Sequence, residues 1–379
     1  MFLKKLELLN FRNYDNFCLN FSENKTLFVG KNAQGKTNIL EAVYYLSNLK
    51  SKRASKDSEI VLWDENICKI KAQILKNDID IDLEVVINPP NKKTLKLNSI
   101  KKNKSKDFLS NLVAINFCVD DLLLIRGMPS DRRDWLDDCI SRIYPGYDDR
   151  LSKYNKIRIQ RNNLLKNFRL YNNNFEMLEA FDEQLIITGS NIEFLRLKYL
   201  FEIKENVQKK YSAIAPDEYL TFDYNSTIFG ICKDFSKISI EEIATLFKEK
   251  LKEMKTEEMQ RMKTLIGPHR ADIEFFINNK NAINYASQGQ QRTIVLSLKL
   301  AEIDTIEQKI DTTPILLLDD VLAELDKKRQ NYLLNSIENK IQTLITSTDA
   351  DGFEQEFLKG VKIYKVVKND NKGEIFELS

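Results

Sequence analysis

Two separated blocks, Gly30-Lys31-Asn32-Ala33-Gln34-Gly35-Lys36-Thr37 and Pro314-Ile315-Leu316-Leu317-Leu318-Asp319-Asp320, hold the residues best suited to chemistry. The first has the spacing G-x-x-x-x-G-K-[ST], in which each fixed position has a physical task. Gly30 and Gly35 let the backbone curl, so that N–H groups of Lys31, Asn32, Ala33 and Gln34 converge on phosphate oxygens. Lys36 adds a point charge for β- and γ-phosphates, and the Thr37 hydroxyl is suited to ligate Mg²⁺. The second block is an apolar run ending in two carboxylates. Asp319 is expected to hold the metal, through water, and Asp320 to orient or deprotonate an attacking water. Taken alone, the two acids could equally cap a helix or form a turn. Together the blocks imply a nucleoside triphosphate with Mg²⁺ and its hydrolysis.

These residues need particular elements to position them. Thr26-Leu27-Phe28-Val29 predicts a short buried strand, and Thr37 to Leu46 predicts a helix whose N-terminus faces the phosphates. The run before Asp319 predicts a buried parallel strand that delivers the acids at its C-terminal edge. A third block, Ser287-Gln288-Gly289-Gln290-Gln291-Arg292, precedes an apolar helix expected over Thr293 to Ile306. Ser287, Gly289 and Gln290 with the first helical N–H groups would form a second anion-binding nest, or simply a polar helix cap.

That third block resembles the signature motif of ABC-type ATPases, and by this resemblance the nucleotide is ATP. The resemblance implies that Ser287 closes on the γ-phosphate held by a second copy, and hence an ATP-dependent homodimer. Ala323-Glu324-Leu325-Asp326 matches the position of a loop along the dimer interface in these ATPases. Alternatively, Glu324 or Asp326 caps a helix expected over Lys327 to Ile337. Thr343 to Thr348 reads as another strand, at the place where ABC transporters usually carry a switch histidine. The chain's single histidine is His269. Sensing of the γ-phosphate at this strand would therefore fall to Thr346, Ser347 or Thr348.

Further blocks make the likeness more specific. They are Asn10-Phe11-Arg12-Asn13-Tyr14, Phe117 to Gly127, Arg132-Arg133 with Trp135-Leu136-Asp137, Gln160 to Lys166, and Gly267-Pro268-His269-Arg270. Over nearly its whole length the chain is similar to the RecF family of bacterial recombination mediators. It departs from the family's usual pattern at Ala271 before Asp272 and at Cys118-Val119-Asp120. The expected fold is α/β: an ABC-type P-loop ATPase head, a mixed sheet with flanking helices, interrupted by a helical lobe. The ATPase lobe would comprise residues 1–125 and 265–379, and the helical lobe 126–264.

The resemblance implies slow, DNA-stimulated ATP hydrolysis. It also implies a clamp on single- and double-stranded DNA at gaps and junctions, loading the recombinase RecA with the partners RecR and RecO. Two other classes remain open: the ABC ATPase of a membrane transporter, and a non-catalytic scaffold switched by ATP. The middle region is too short and too irregular for the long coiled coils of SMC proteins. Its helical spacing covers Tyr147 to Phe168 and Phe181 to Tyr211, separated by a loop at Tyr171 to Asn174.

Composition bounds these readings. The chain has 379 residues, 42% hydrophobic and 30% charged, enough for two or three domain-sized units. It lacks a run of about 18 apolar residues and a signal-peptide pattern, so a cytoplasmic protein without a membrane anchor is expected. Five scattered cysteines without a C-x-x-C pair argue against zinc and disulfides. A net charge of +2 does not announce a nucleic-acid binder, but its distribution supplies candidates. Lys92 to Lys106 reads as a basic hairpin at a sheet edge, able to track phosphates or merely to protect the edge. Lys156, Arg158, Arg161 and Lys166 form a second cluster, and Lys52, Arg53 and Lys56 a third. His269 reads as a turn residue with satisfied hydrogen bonds. Trp63 and Trp135 read as packed core rather than stacking platforms.

Overall fold

The computed structural model describes residues 1–168, 174–234, 239–337, 340–369 and 372–378. They divide into two compact units, Met1–Leu122 with Glu302–Ser379, and Leu123–Ala301.

In the first unit, Lys25–Val29, Thr343–Ser347, Ile315–Asp319 and Ala114–Cys118 lie side by side as parallel strands. Val361–Asn369 extends them in parallel on the far side of Lys25–Val29, and Lys372–Leu378 adds an antiparallel edge. The central strands are buried along almost their whole length, which is why Leu27–Val29 and Ile315–Leu318 are continuous apolar runs instead of alternating ones. A second sheet is antiparallel, in the order Tyr14–Asn20, Phe2–Phe11, Cys68–Lys76, Ile79–Ile87, Thr94–Leu97, Ile100–Lys102. Here burial alternates, as in Cys68, Ile70, Ala72 and Ile74, because one face meets the core and the other meets solvent.

The helix Lys36–Asn48 buries Ile39, Leu40, Val43, Tyr44 and Leu46 in a core that includes Phe11, Ile70, Phe108 and Leu317. It contacts strands of both sheets of this unit. At the edge of this core, buried Gln342 receives the Leu3 N–H at 2.5 Å and donates to the Leu3 carbonyl at 2.9 Å. That reciprocal pair ties the first strand to the segment entering Thr343–Ser347.

The second unit contains the helices Pro129–Ile143, Tyr147–Lys166, Phe175–Ile214 and Ile240–Arg261. It is not wholly helical. Leu220–Ser226 pairs with both Gly230–Cys232 and Asp272–Ile277, because Leu220, Phe222, Tyr224 and Ser226 repeat every second residue and bury one face. This pairing joins residues on either side of the expected boundary near 265. The division of the chain falls at 122/123, close to the expected boundary at 125/126, and at 301/302, well beyond the one expected at 264/265. Of the loop expected at Tyr171 to Asn174, residues 171–173 lie outside the described residues. Asn174 caps the following helix by accepting the Met177 N–H at 2.8 Å.

Trp135 is buried as expected, but Trp63 is 87% exposed. The correction has a local cause. The Leu62 N–H bonds to the Asn10 carbonyl and Glu65 N–H to the Leu62 carbonyl, forming a turn with Asp64 at φ 65°. That turn carries Trp63 into solvent.

Candidate nucleotide site

The phosphate loop lies between the strand Lys25–Val29 and the helix Lys36–Asn48. Its glycines are required by space as well as by conformation. A Cβ on Gly30 would sit 2.4 Å from the Val366 carbonyl oxygen, and one on Gly35 would sit 2.6 Å from Asn13 Nδ2. Gly30 has φ 155°, Ala33 φ 63° and Gly35 φ 116°, so the loop takes positive φ at three positions. Buried Lys36 points back under the loop, where Nζ donates to the carbonyls of Gly30 at 2.7 Å and Lys31 at 3.1 Å.

Residues distant in sequence brace this loop. Asn13 Nδ2 donates to the Gln34 carbonyl at 3.0 Å, while Asn13 Oδ1 accepts from Asn38 Nδ2 at 2.7 Å. Tyr14 donates its hydroxyl to the Gly35 carbonyl at 3.2 Å, and Gln34 Oε1 accepts the Lys368 N–H at 2.5 Å. Sequence reasoning noticed the Asn10–Tyr14 block only as a family likeness. Nothing in its residue types announces that it holds the loop, because the contact depends on a hairpin turn meeting that loop in space.

The acids arrive as the parallel strand required. Thr37 Oγ1 and Thr346 Oγ1 each donate to Asp319 Oδ1 at 2.8 Å. Thr346 Oγ1 also accepts the Asp320 N–H at 2.9 Å, and Asp320 takes up φ 53°. Burial raises the Asp319 pKa above the ordinary carboxylate value, and the two hydroxyl hydrogen bonds oppose that rise. Thus the structure brings Gly30, Lys36, Thr37, Asp319 and Asp320 together, and it adds Thr346. A hydroxyl and a carboxylate are hard oxygen donors, and Mg²⁺ commonly takes only one or two protein ligands beside phosphates and water. The donor set therefore fits that ion. Among the described residues, no cluster of three or more His, Cys, Asp or Glu side chains offers a metal site elsewhere.

The signature block belongs to the second unit. Ser287 is exposed at the start of the helix Gln288–Ile310. Its Oγ accepts the Gln290 N–H at 3.2 Å, while Gln290 Oε1 accepts the Ser287 N–H at 2.8 Å. This reciprocal cap presents Ser287 and Gly289 at a helix N-terminus. Asp326 caps the helix Lys327–Ser336 through the Arg329 N–H at 2.9 Å.

His269 is a structural turn residue: Nδ1 bonds with the Tyr154 hydroxyl at 2.7 Å and Nε2 with the Thr264 carbonyl at 3.2 Å. Burial, helped by nearby Arg158, lowers its pKa to about 3. Arg161 leaves the list of DNA contacts. It is 1% exposed, with Nε on Asp182 and Nη2 on Glu258, both at 2.6 Å.

The model of the RecF/RecN/SMC N-terminal domain matches residues 2–373. The DNA replication and repair protein RecF of Bacillus cytotoxicus is 40% identical over 368 residues, covering 97% of each chain. Its counterpart in Oceanobacillus iheyensis is 39% identical, covering 97% of this chain and 98% of that one. The chain belongs to the RecF family.

A solved structure of the recombination mediator RecF with ATP, from the RecFOR pathway, superposes with a TM-score of 0.89 at 33% identity, over 100% of this chain and 98% of that one. An SMC head bound to the C-winged helix domain of ScpA gives 0.54 at 17% identity, over 100% of this chain and 98% of that one, and so shares the fold. RecF family membership thus accounts for the ABC-type head. No helix among the described residues is long and apolar enough to cross a membrane.

Proposed function

We propose that this RecF family member binds ATP with Mg²⁺, hydrolyses it slowly, and acts as a nucleotide-gated DNA clamp in recombinational repair. The observation that carries the nucleotide part is the convergence of Thr37 and Thr346 on Asp319 Oδ1. It joins the phosphate loop to the acidic strand across 282 positions of sequence. The names of the relatives and the RecF–ATP structure support the repair role.

In this reading Lys36 exchanges its loop carbonyls for β- and γ-phosphate oxygens, and loop N–H groups from Lys31 to Gln34 orient the phosphates. Thr37 and Asp319 would hold the metal, which would supply charge neutralisation at the phosphates. Asp320 positions the attacking water and takes its proton. Ser287, with Gly289 and Gln290 behind it, closes on the γ-phosphate of a second copy, so that the ATP-bound form is a homodimer. The clamp holds single- and double-stranded DNA near gaps, and RecR and RecO are its partners in loading RecA in the cytoplasm. Hydrolysis opens the clamp, making ATP a timer.

The test compares wild type, Lys36→Ala and Asp320→Asn by light scattering and phosphate release, with ATP, Mg²⁺ and gapped duplex. Lys36→Ala should bind no ATP and stay monomeric. Asp320→Asn should bind ATP and accumulate as a DNA-bound dimer. Normal turnover by Asp320→Asn would reject its assigned role.

A further inference from the structure

Of the three basic clusters, two have members committed within their own units, although Lys56, Lys156 and Lys166 are exposed. Arg161 is buried between Asp182 and Glu258. Lys52 pairs with Asp121 at 3.2 Å, and Arg53 donates to Asn38 Oδ1 at 2.8 Å. The segment from Lys92 to Lys106 is different. It forms the last hairpin of the six-stranded antiparallel sheet, with Lys96 opposite Lys101 across the final pair of strands.

Two of its lysines serve the unit itself. Lys93 turns inward to the Leu49 carbonyl at 2.7 Å and the Tyr45 hydroxyl at 2.9 Å, and Lys96 pairs with Glu84 at 2.7 Å. Lys101, Lys104 and Lys106 are exposed along the outer strand, the following turn and the start of the helix Ser105–Leu109. One acid, Asp107, is their neighbour in sequence. Five residues of chain reach at most about 16 Å, a length that covers roughly five phosphates of one DNA strand.

We propose that the edge formed by Lys101, Lys104 and Lys106 is the surface on which this protein holds the DNA backbone, and that it reads phosphate charge without reading sequence. Lysine suits this task because its ammonium is a rotatable point charge. The segment holds no arginine, the residue whose planar fork most often reads guanine. The inference rests on the proposed clamp function and specifies where that clamp makes contact.

The experiment is fluorescence anisotropy of a labelled gapped duplex with ATP and Mg²⁺, at several salt concentrations from about 50 to 200 mM. It compares wild type, Lys101→Ala/Lys104→Ala/Lys106→Ala and, as a contrast, Lys156→Ala/Lys166→Ala. The triple variant should bind DNA roughly 10- to 100-fold more weakly, and its log–log salt slope should fall by about 2 to 3. It should bind fluorescent ATP as wild type does, which separates lost contact from lost fold. The contrast variant should stay within about twofold of wild type. Unchanged affinity and slope in the triple variant would overturn the inference and leave the edge to an acidic protein. Wild type that binds no duplex under any condition would remove the clamp reading, and this inference with it.

Discussion

Thr346 Oγ1 lies between the two acids: it donates to Asp319 Oδ1 at 2.8 Å and accepts the Asp320 N–H at 2.9 Å. One hydroxyl thus orients the proposed metal ligand and fixes the backbone of the proposed base. Thr346 is 1% exposed, so water cannot readily replace it.

Thr346→Val keeps the shape of the side chain and removes both hydrogen bonds. ATP hydrolysis should fall at least 10-fold, while ATP affinity changes by less than about fivefold. Thr346→Ser should restore most of the rate. Equal kcat in Thr346→Val and wild type would show that the hydroxyl only packs.

Arg161 bridges Asp182 and a Glu258 that is 0% exposed. Arg161→Ala leaves that carboxylate buried without its cation, at a cost of about 3 to 5 kcal/mol. Denaturant midpoints should register this loss. At temperatures where the variant remains folded, its affinity for gapped duplex should match that of wild type, because the guanidinium does not reach solvent.

The neutral form of His269 is favoured in the folded protein, with a pKa lowered to about 3 from an ordinary 6.5. The unfolded chain binds a proton below about pH 6.5 that the native protein refuses until about pH 3. Stability from this group is therefore full above pH 6.5 and declines as pH falls, by up to about 1.4 kcal/mol per unit. His269→Gln should flatten the stability profile by about one proton across that window. Parallel profiles for the two proteins would contradict the burial of a neutral ring.

The two tryptophans report opposite environments, Trp63 at 87% exposure and Trp135 at 7%. Trp63→Phe should remove the red-shifted, acrylamide-quenchable part of the emission and leave a blue-shifted, protected remainder. Stability should change by less than about 0.5 kcal/mol, as for other exposed positions. A large destabilisation would mean that Trp63 packs after all.

The acidic and phosphate-loop blocks were legible because their chemistry fixes both residue type and spacing, and because strand and helix patterns flank them. Helices over Tyr147–Lys166 and Phe175–Ile214 were legible from their apolar spacing. Leu220–Ser226 was missed, since a short alternating strand amid helices depends on pairing that includes a partner some 50 residues away. Arg161 looked like a surface cation because charge alone does not reveal burial. Its two carboxylate partners lie 21 and 97 positions downstream.

Sequence alone was enough to propose the nucleotide-site chemistry and to determine the ABC-type class and the family likeness, since each rests on local residue order. Tertiary structure decided which hydroxyl joins Asp319 to Asp320, which residues brace the phosphate loop, and which lysines remain at the surface. Those outcomes depend on distances between segments far apart in the chain, set by parallel strand order and by burial rather than by neighbouring residue types.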